Sequence, residues 1–182
     1  MDHTVLLRLL LAADPPQAAC AFRTVFADGE IGETGTLRYL ATDRWILDLD
    51  HGGRTVSTPH GSRHTGPDGD VRTGRPTTPS FTSAVALLLP RYRGIDGGHG
   101  HDWALDPSVP ITETADGSLR AVFRHTENPS YRAEAVIHPA LHCILVMRTP
   151  AWTAELLGLR TTLSEPELKE MEQVLHEIRG GS

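Results

Sequence analysis

Apolar and polar residues alternate with a period of two through most of the chain between residues 20 and 160, which is typical of strands in a sheet with one covered face. Asp28-Gly29 and His51-Gly52-Gly53 mark tight turns, so consecutive strands are predicted to pair antiparallel. The apolar positions that share one predicted face are Phe22, Phe26, Leu37, Tyr39, Trp45, Leu47, Leu49, Leu119, Phe123, Tyr131, Ile137, Leu145 and Met147.

The opposite positions of the same strands are mostly charged and are predicted to form the wet face of the sheet. They are Arg23, Arg38, Arg44, Asp48, Arg120, Arg124, Arg132, Glu134 and Arg148. A shift of one residue would exchange the two faces along a whole strand, so the pattern also predicts the register.

Three segments have a helical pattern instead. Asp2 is a candidate cap for a helix over residues 4–13, and Pro90 would end a second helix over residues 81–89. The second helix is apolar nearly all round from residue 84, so it is predicted to be buried on more than one side. The sequence Ser164-Glu165-Pro166-Glu167 is a capping box that begins a third helix over residues 164–179.

The predicted elements make one α+β domain over residues 1–182, in which the second and third helices are candidates to cover the apolar face. Two segments have few apolar residues and are predicted to be flexible loops, residues 59–79 and 94–102, apart from one short strand near residues 62–65. With 39% apolar residues, the chain has the composition of a folded domain.

Charge and hydropathy exclude two classes of partner. The net charge is −6, and arginines alternate with carboxylates along the chain, so no nucleic-acid-binding face is predicted. No stretch approaches the roughly 20 apolar residues that span a bilayer. The start Met1-Asp2-His3 lacks a positive leader, so the cytoplasm is the predicted location unless the true start lies upstream.

We find no catalytic signature, and the chain is predicted not to be an enzyme and to bind no cofactor. The sequence has no Gly-x-Ser-x-Gly motif and no phosphate-binding glycine loop. Cys20 and Cys143 both fall on predicted strands, where a reduced core thiol is the expected role. His99, His101 and Asp102 form the densest group of metal-ligating residue types, in a glycine-rich loop.

Short motifs follow one another through the early strands. They are Gly35-Thr36-Leu37-Arg38-Tyr39, Asp43-Arg44-Trp45, Asp50-His51-Gly52-Gly53-Arg54-Thr55-Val56-Ser57 and Gly61-Ser62-Arg63-His64. This progression resembles the early strands of the LolA-like lipoprotein-carrier superfamily. The resemblance implies a curved antiparallel sheet, a half-open β-barrel covered on its concave face by helices. Ala41-Thr42 stands where the carriers place an Arg-Pro pair, so the lid contact of the carriers does not carry over.

The resemblance also implies a non-enzymatic protein that holds a lipid, acyl or other hydrophobic ligand in an apolar cavity. The expected lining is Leu37, Tyr39, Trp45, Leu47, Phe81, Val85, Leu88, Phe123 and Tyr131. Two alternatives remain open: a cytoplasmic protein-interaction or regulatory module with a filled core, and a metal-dependent enzyme at the His99 and His101 loop. The sequence does not decide the partner or the oligomeric state.

Overall fold

The structure of the protein is a computed structural model that describes residues 1–77, 84–95 and 102–180. Its helices are α1 (His3–Ala12), α2 (Ala84–Leu88) and α3 (Glu165–Gly180), with a 3₁₀ helix over Pro90–Arg93. Its strands are β1 (Ala18–Phe26), β2 (Ile31–Ala41), β3 (Arg44–Leu49), β4 (Arg54–Thr58), β5 (Gly61–Thr65), β6 (Val71–Gly74), β7 (Trp103–Leu105), β8 (Thr112–Glu113), β9 (Leu119–His125), β10 (Arg132–Ile137), β11 (Ile144–Arg148) and β12 (Trp152–Arg160).

The strands of the described residues form a twelve-stranded antiparallel sheet in the order β6-β5-β4-β3-β2-β1-β12-β11-β10-β9-β7, with β8 beside β9. The predicted α+β class with an antiparallel sheet and helices is therefore confirmed. Contacts divide the chain into two compact units. The first holds Met1–Asp14, Thr24–Gly32 and Pro79–Leu156, and the second holds Pro15–Arg23, Glu33–Thr78 and Leu157–Ser182.

In the second unit, α3 packs against β3, β4 and β5. Met171 and Val174 of the helix join Ile46 and Val56 of the sheet in one buried apolar cluster. Ile46 lies opposite Arg38 in the β2–β3 register, so the two side chains project from the same face of the sheet. The helix α3 therefore covers the face that contains the arginines. The sequence predicted that this charged face is exposed to solvent. That prediction is wrong for β2–β4, because α3 covers the face.

In the first unit, α2 packs against β11, and all five of its residues are buried as predicted. The predicted apolar parity holds through β9 and β10, where Leu119, Ala121, Ala133 and Ala135 are buried. In β11 the prediction holds at Met147, which is buried, and fails before it, because a bulge between Val136 and Ile137 shifts the register. As a result Ile144 is buried and Leu145, the predicted core residue, is only half-buried.

Two further predictions are corrected. Residues 59–79 are not one loop with a single strand, because β5 pairs with β6 in a second hairpin. Phe26 was expected in the core but is 47% exposed at the end of β1, next to the Asp28-Gly29 turn that the sequence predicted. Gly29 has a φ of 87° there, a conformation that glycine adopts without strain.

Candidate functional site

Four of the expected cavity-lining residues lie together on β2 and β3. Leu37 pairs with Leu47, and Tyr39 pairs with Trp45, so all four share one face of the sheet. All four are buried. The face that the sequence predicted to be apolar is therefore apolar in this unit.

The other expected lining residues belong to the first unit. Val85, Leu88 and Phe123 are buried. Tyr131 is half-buried just before β10, where its ring lies 5.6 Å from the ring of Trp103. Phe81 lies outside the described residues.

The buried lining residues are closely packed. Leu37, Tyr39 and Phe123 have no solvent-accessible surface, and neither do Val85 and Leu88. A side chain with no accessible surface borders no space that a water molecule can enter. An acyl chain could lie against these residues only if their packing opened, so the lining role stays a prediction.

Two polar side chains on the apolar face of the second unit have no hydrogen-bond partner among the described residues. Trp45 and Ser57 lie opposite each other across β3 and β4. The indole Nε1 of Trp45 and the Oγ of Ser57 are both buried and unbonded. Native proteins rarely leave such groups unsatisfied.

In the first unit, an open groove of about 240 Å³ runs across the face of β9–β11 that was predicted to be charged. Its residues are Val109, Pro110, Thr112, Arg120, Ala121, Val122, Glu134, Ala135, Val136, Val146 and Arg148. Val122, Val136 and Val146 are half-buried at its centre. The sequence carried this signal, since three valines interrupt the charged parity, but the alternation alone does not show a groove.

The charges beside the valines are largely unneutralised. Arg120 and Arg148 are exposed, and neither forms a salt bridge with a residue in the described part of the chain. Glu134 lies opposite Arg148 in the β10–β11 register and is also exposed. The groove is therefore an apolar strip with a small excess of positive charge.

The arginines under α3 are paired. Glu170 of α3 accepts hydrogen bonds from Arg38 and from Arg54, the latter at 2.7 Å. Asp48 accepts a second bond from Arg38 and lies 3.5 Å from Nε of Arg54. Further along the helix, Arg63 donates to Glu177 at 2.9 Å.

The start of α3 is held by Glu167. Its carboxylate accepts bonds from Arg160 and from the backbone N–H of Ser164, which is half of the predicted capping box. These bonds, that from Arg160 first, lower the pKa of Glu167 to about 2. The helix therefore begins as predicted.

The described residues offer no cluster of metal-ligating side chains. No group of three or more His, Cys, Asp or Glu side chains is placed to hold an ion in the described ranges. Asp102 is exposed, while His99 and His101 lie outside those ranges. Burial raises the pKa of Cys143 to about 12, so this thiol is not a nucleophile near neutral pH.

None of the helices in the described part of the chain is both long enough and apolar enough to cross a bilayer.

The fold of the described residues is an antiparallel sheet with helices, of the α+β class. No protein-family model matches the chain, and no curated protein matches it in sequence. Among solved structures, the chain is similar to MucB in the MucA/MucB complex of Pseudomonas aeruginosa, with a TM-score of 0.57 and 16% identity. That match covers 92% of this chain and 60% of the MucB chain.

Two further matches have TM-scores below 0.5. A crystal structure of MucB has a TM-score of 0.47 at 17% identity and covers 92% of this chain and 62% of that chain. A putative outer membrane lipoprotein-sorting protein domain from Vibrio parahaemolyticus has a TM-score of 0.38 at 11% identity, with 94% and 97% covered. The chain thus spans about 60% of the MucB structures. The fold of the chain is similar to that in the MucA/MucB structure, whose TM-score is above 0.5, and a lipoprotein-sorting domain, the kind of protein that the early strand motifs resemble, is also among the matched structures.

Proposed function

We propose that the protein is a non-enzymatic binding protein that docks an acidic, partly apolar segment of another protein in the β9–β11 groove. The main observation behind this proposal is that the groove is open, whereas the residues expected to line a cavity are closely packed. The half-buried valines offer apolar contact, and Arg120 and Arg148 offer charges with no partner among the described residues. Such a combination favours a segment whose apolar and acidic residues alternate.

The second unit contains a helix with the same kinds of side chains that we propose for the partner. There a sheet face with arginines and aliphatic residues is covered by α3, whose Glu170 and Glu177 pair with the arginines. Met171 and Val174 of the same helix fill the apolar positions. The open face of the first unit has the same kinds of side chains. A segment from another chain could supply what α3 supplies in the second unit.

The fold similarity is consistent with a protein partner. The MucB structure with a TM-score of 0.57 was solved as a complex with MucA. The relationship is at 16% identity, so it supports the class of function and not the partner.

The test uses two fluorescent decapeptides, one alternating valine with glutamate and the other alternating valine with lysine. We expect saturable binding of the glutamate peptide. R120E/R148E should weaken this binding at least about tenfold, because the substitutions replace attraction between opposite charges by repulsion between like charges. A tenfold loss corresponds to about 1.4 kcal/mol. The matched control is R72E, since Arg72 is 80% exposed on β6. Equal binding of both peptides, or no effect of R120E/R148E, would refute the proposal.

A second candidate is an apolar ligand held by the lining residues that the resemblance implied. It is favoured by the pairing of Leu37 with Leu47 and of Tyr39 with Trp45 on one apolar face. Because these side chains are packed, binding would require the core to open. Native mass spectrometry after incubation with dodecanoate should then show a stoichiometric adduct, and its absence would count against this candidate. The cytoplasmic location and a metal at His99 and His101 stay predictions.

A further inference from the structure

Two histidines border the β9–β11 groove in the first unit. Nε2 of His3, in α1, donates to the carbonyl oxygen of Val109 at 3.0 Å, and Val109 forms part of the groove. His142 lies in the turn that joins β10 to β11, where its backbone N–H donates to the carbonyl oxygen of His138 at 3.0 Å. That turn begins two residues after Val136 of the groove, roughly 7 Å along the strand. His3 and His142 are both half-buried, so each is still in contact with solvent.

Protonation leaves the contact of His3 with the groove in place. A carbonyl oxygen only accepts, so Nε2 carries the hydrogen of this bond and an added proton goes to Nδ1. His138 differs, because its Nδ1 accepts from the N–H groups of Ala140 and Leu141 and would lose both bonds on protonation. Burial, with the charge of His142 second, lowers the pKa of His138. Of the three histidines, His3 and His142 are therefore the ones that we expect to gain a charge as the pH falls.

The other charged groups around these two histidines are carboxylates and guanidinium groups. Asp2 caps α1 directly before His3, and the 3₁₀ helix that packs against α1 carries Arg91 and Arg93. The helix α2, which packs against β11, has no charged residue. The charged residues of β8–β12 beside the groove are Glu113, Arg120, Glu134, Arg148 and Glu155. Carboxylates and guanidinium groups ordinarily do not titrate between about pH 5.5 and 7.5, so a change in binding over this range reports on histidine.

We propose that acid strengthens docking in the β9–β11 groove, because protonated His3 and His142 add positive charge at the end of the groove where Arg120 lies. This inference rests on the proposed function, the docking of an acidic segment. The Debye length is about 10 Å at 0.1 M salt, so charges at the edge of the groove act on carboxylates bound within it. The groove therefore holds its partner more weakly near neutral pH and more tightly in acid.

The probe is a fluorescent decapeptide that alternates valine with cysteic acid, whose sulfonate stays ionised throughout the range. Fluorescence anisotropy at low salt measures its dissociation constant at pH 7.5 and at pH 5.5. We expect binding to be roughly three- to tenfold tighter at the lower pH. H3Q/H142N should bind as the original protein does at pH 7.5 and lose most of this gain. Glutamine keeps an amide N–H for the carbonyl of Val109, and asparagine tolerates the φ of 54° at His142.

The matched control is H176Q, because His176 is exposed on α3 in the second unit, and this variant should keep the full gain. Equal binding at both pH values, with R120E/R148E still weakening it, would refute the effect of acid while docking in the groove stands. A gain that H3Q/H142N leaves intact would refute the assignment to these histidines. If the peptide binds at neither pH, the docking function fails as well. Unchanged binding of H3Q/H142N at pH 7.5 shows that the variant is folded.

Discussion

The two units treat the same kind of sheet face differently. Under α3, Arg38 and Arg54 share Glu170, and the aliphatic residues between them are buried. On β9–β11, Arg120 and Arg148 have no salt bridge within the described residues, and the valines between them are half-buried beside a groove. The strand pattern is similar, and the difference is whether the chain supplies an acidic amphipathic helix. Charged residues at alternate positions of a strand therefore do not by themselves show that this face of the sheet is exposed to solvent.

The largest expected effect comes from placing a carboxylate on each face. In Val56→Asp the charge would lie in the cluster under α3, where Val56 is 1% exposed. An uncompensated buried charge costs at least about 3 kcal/mol. In Val136→Asp the new carboxylate reaches solvent beside Arg120, so we expect less than about 1 kcal/mol. Urea unfolding of both variants measures the free energies.

The difference between the free energies of unfolding of these two variants tests whether the face on β9–β11 is open. If Val136→Asp destabilises the protein as much as Val56→Asp does, the valines of the groove are core residues. The face would then not be open, and the proposed docking site would be lost.

A smaller effect is expected from the ion pairs. Glu170→Ala leaves Arg54 with the 3.5 Å contact to Asp48 and removes one of the two partners of Arg38. We expect a loss of about 1–2 kcal/mol in the free energy of unfolding, the range for hydrogen bonds to charged groups discounted for partial exposure. The loss should shrink at 1 M salt. The matched control is Glu172→Ala, an exposed carboxylate on the same helix.

The same measurement on Arg148→Ala completes the comparison. This arginine has no salt bridge in the described part of the chain, so its removal should change stability by less than about 0.5 kcal/mol. A loss as large as that of Glu170→Ala would mean that Arg148 serves the fold, and would leave less reason to assign it to a partner.

The sequence predicted the elements well where local chemistry decides them. Asp2 accepts from the N–H groups of Thr4 and Val5 at the start of α1, as a cap should. The turn at Asp28-Gly29 and the capping box at Ser164 and Glu167 were also predicted from a few neighbouring residues. Such signals act within one turn of chain, so they survive without knowledge of the tertiary structure.

Features that depend on distant residues were missed. The bulge before Ile137 moves Ile144 into the core, and nothing in the alternation of β11 marks it. The cover of the arginine face depends on α3, which is more than a hundred residues away from Arg38. The groove on β9–β11 likewise needs Val109 and Pro110 from a preceding segment. Sequence patterns assign side chains to faces, but contacts decide which faces are covered.

The smallest expected effect concerns the turn that joins β10 to β11, the strands of the groove. Nδ1 of His138 accepts from the backbone N–H groups of Ala140 and Leu141. Burial, with the charge of His142 second, lowers the pKa of His138 below its usual 6.5. The unfolded chain therefore takes up a proton first as the pH falls, so this stabilisation is complete above pH 6.5 and is lost below it.

His138→Asn keeps an acceptor for the turn but does not titrate. We expect its stability to lie within about 0.5 kcal/mol of the original at pH 7.5, and its free energy of unfolding to fall less steeply between about pH 6.5 and 5. Urea unfolding at each pH measures both slopes. Identical slopes would mean that His138 accepts no bonds that protonation breaks. Because Glu170 is not among the groups that shift the pKa of His138, the paired Glu170→Ala variant should keep the original slope in this range.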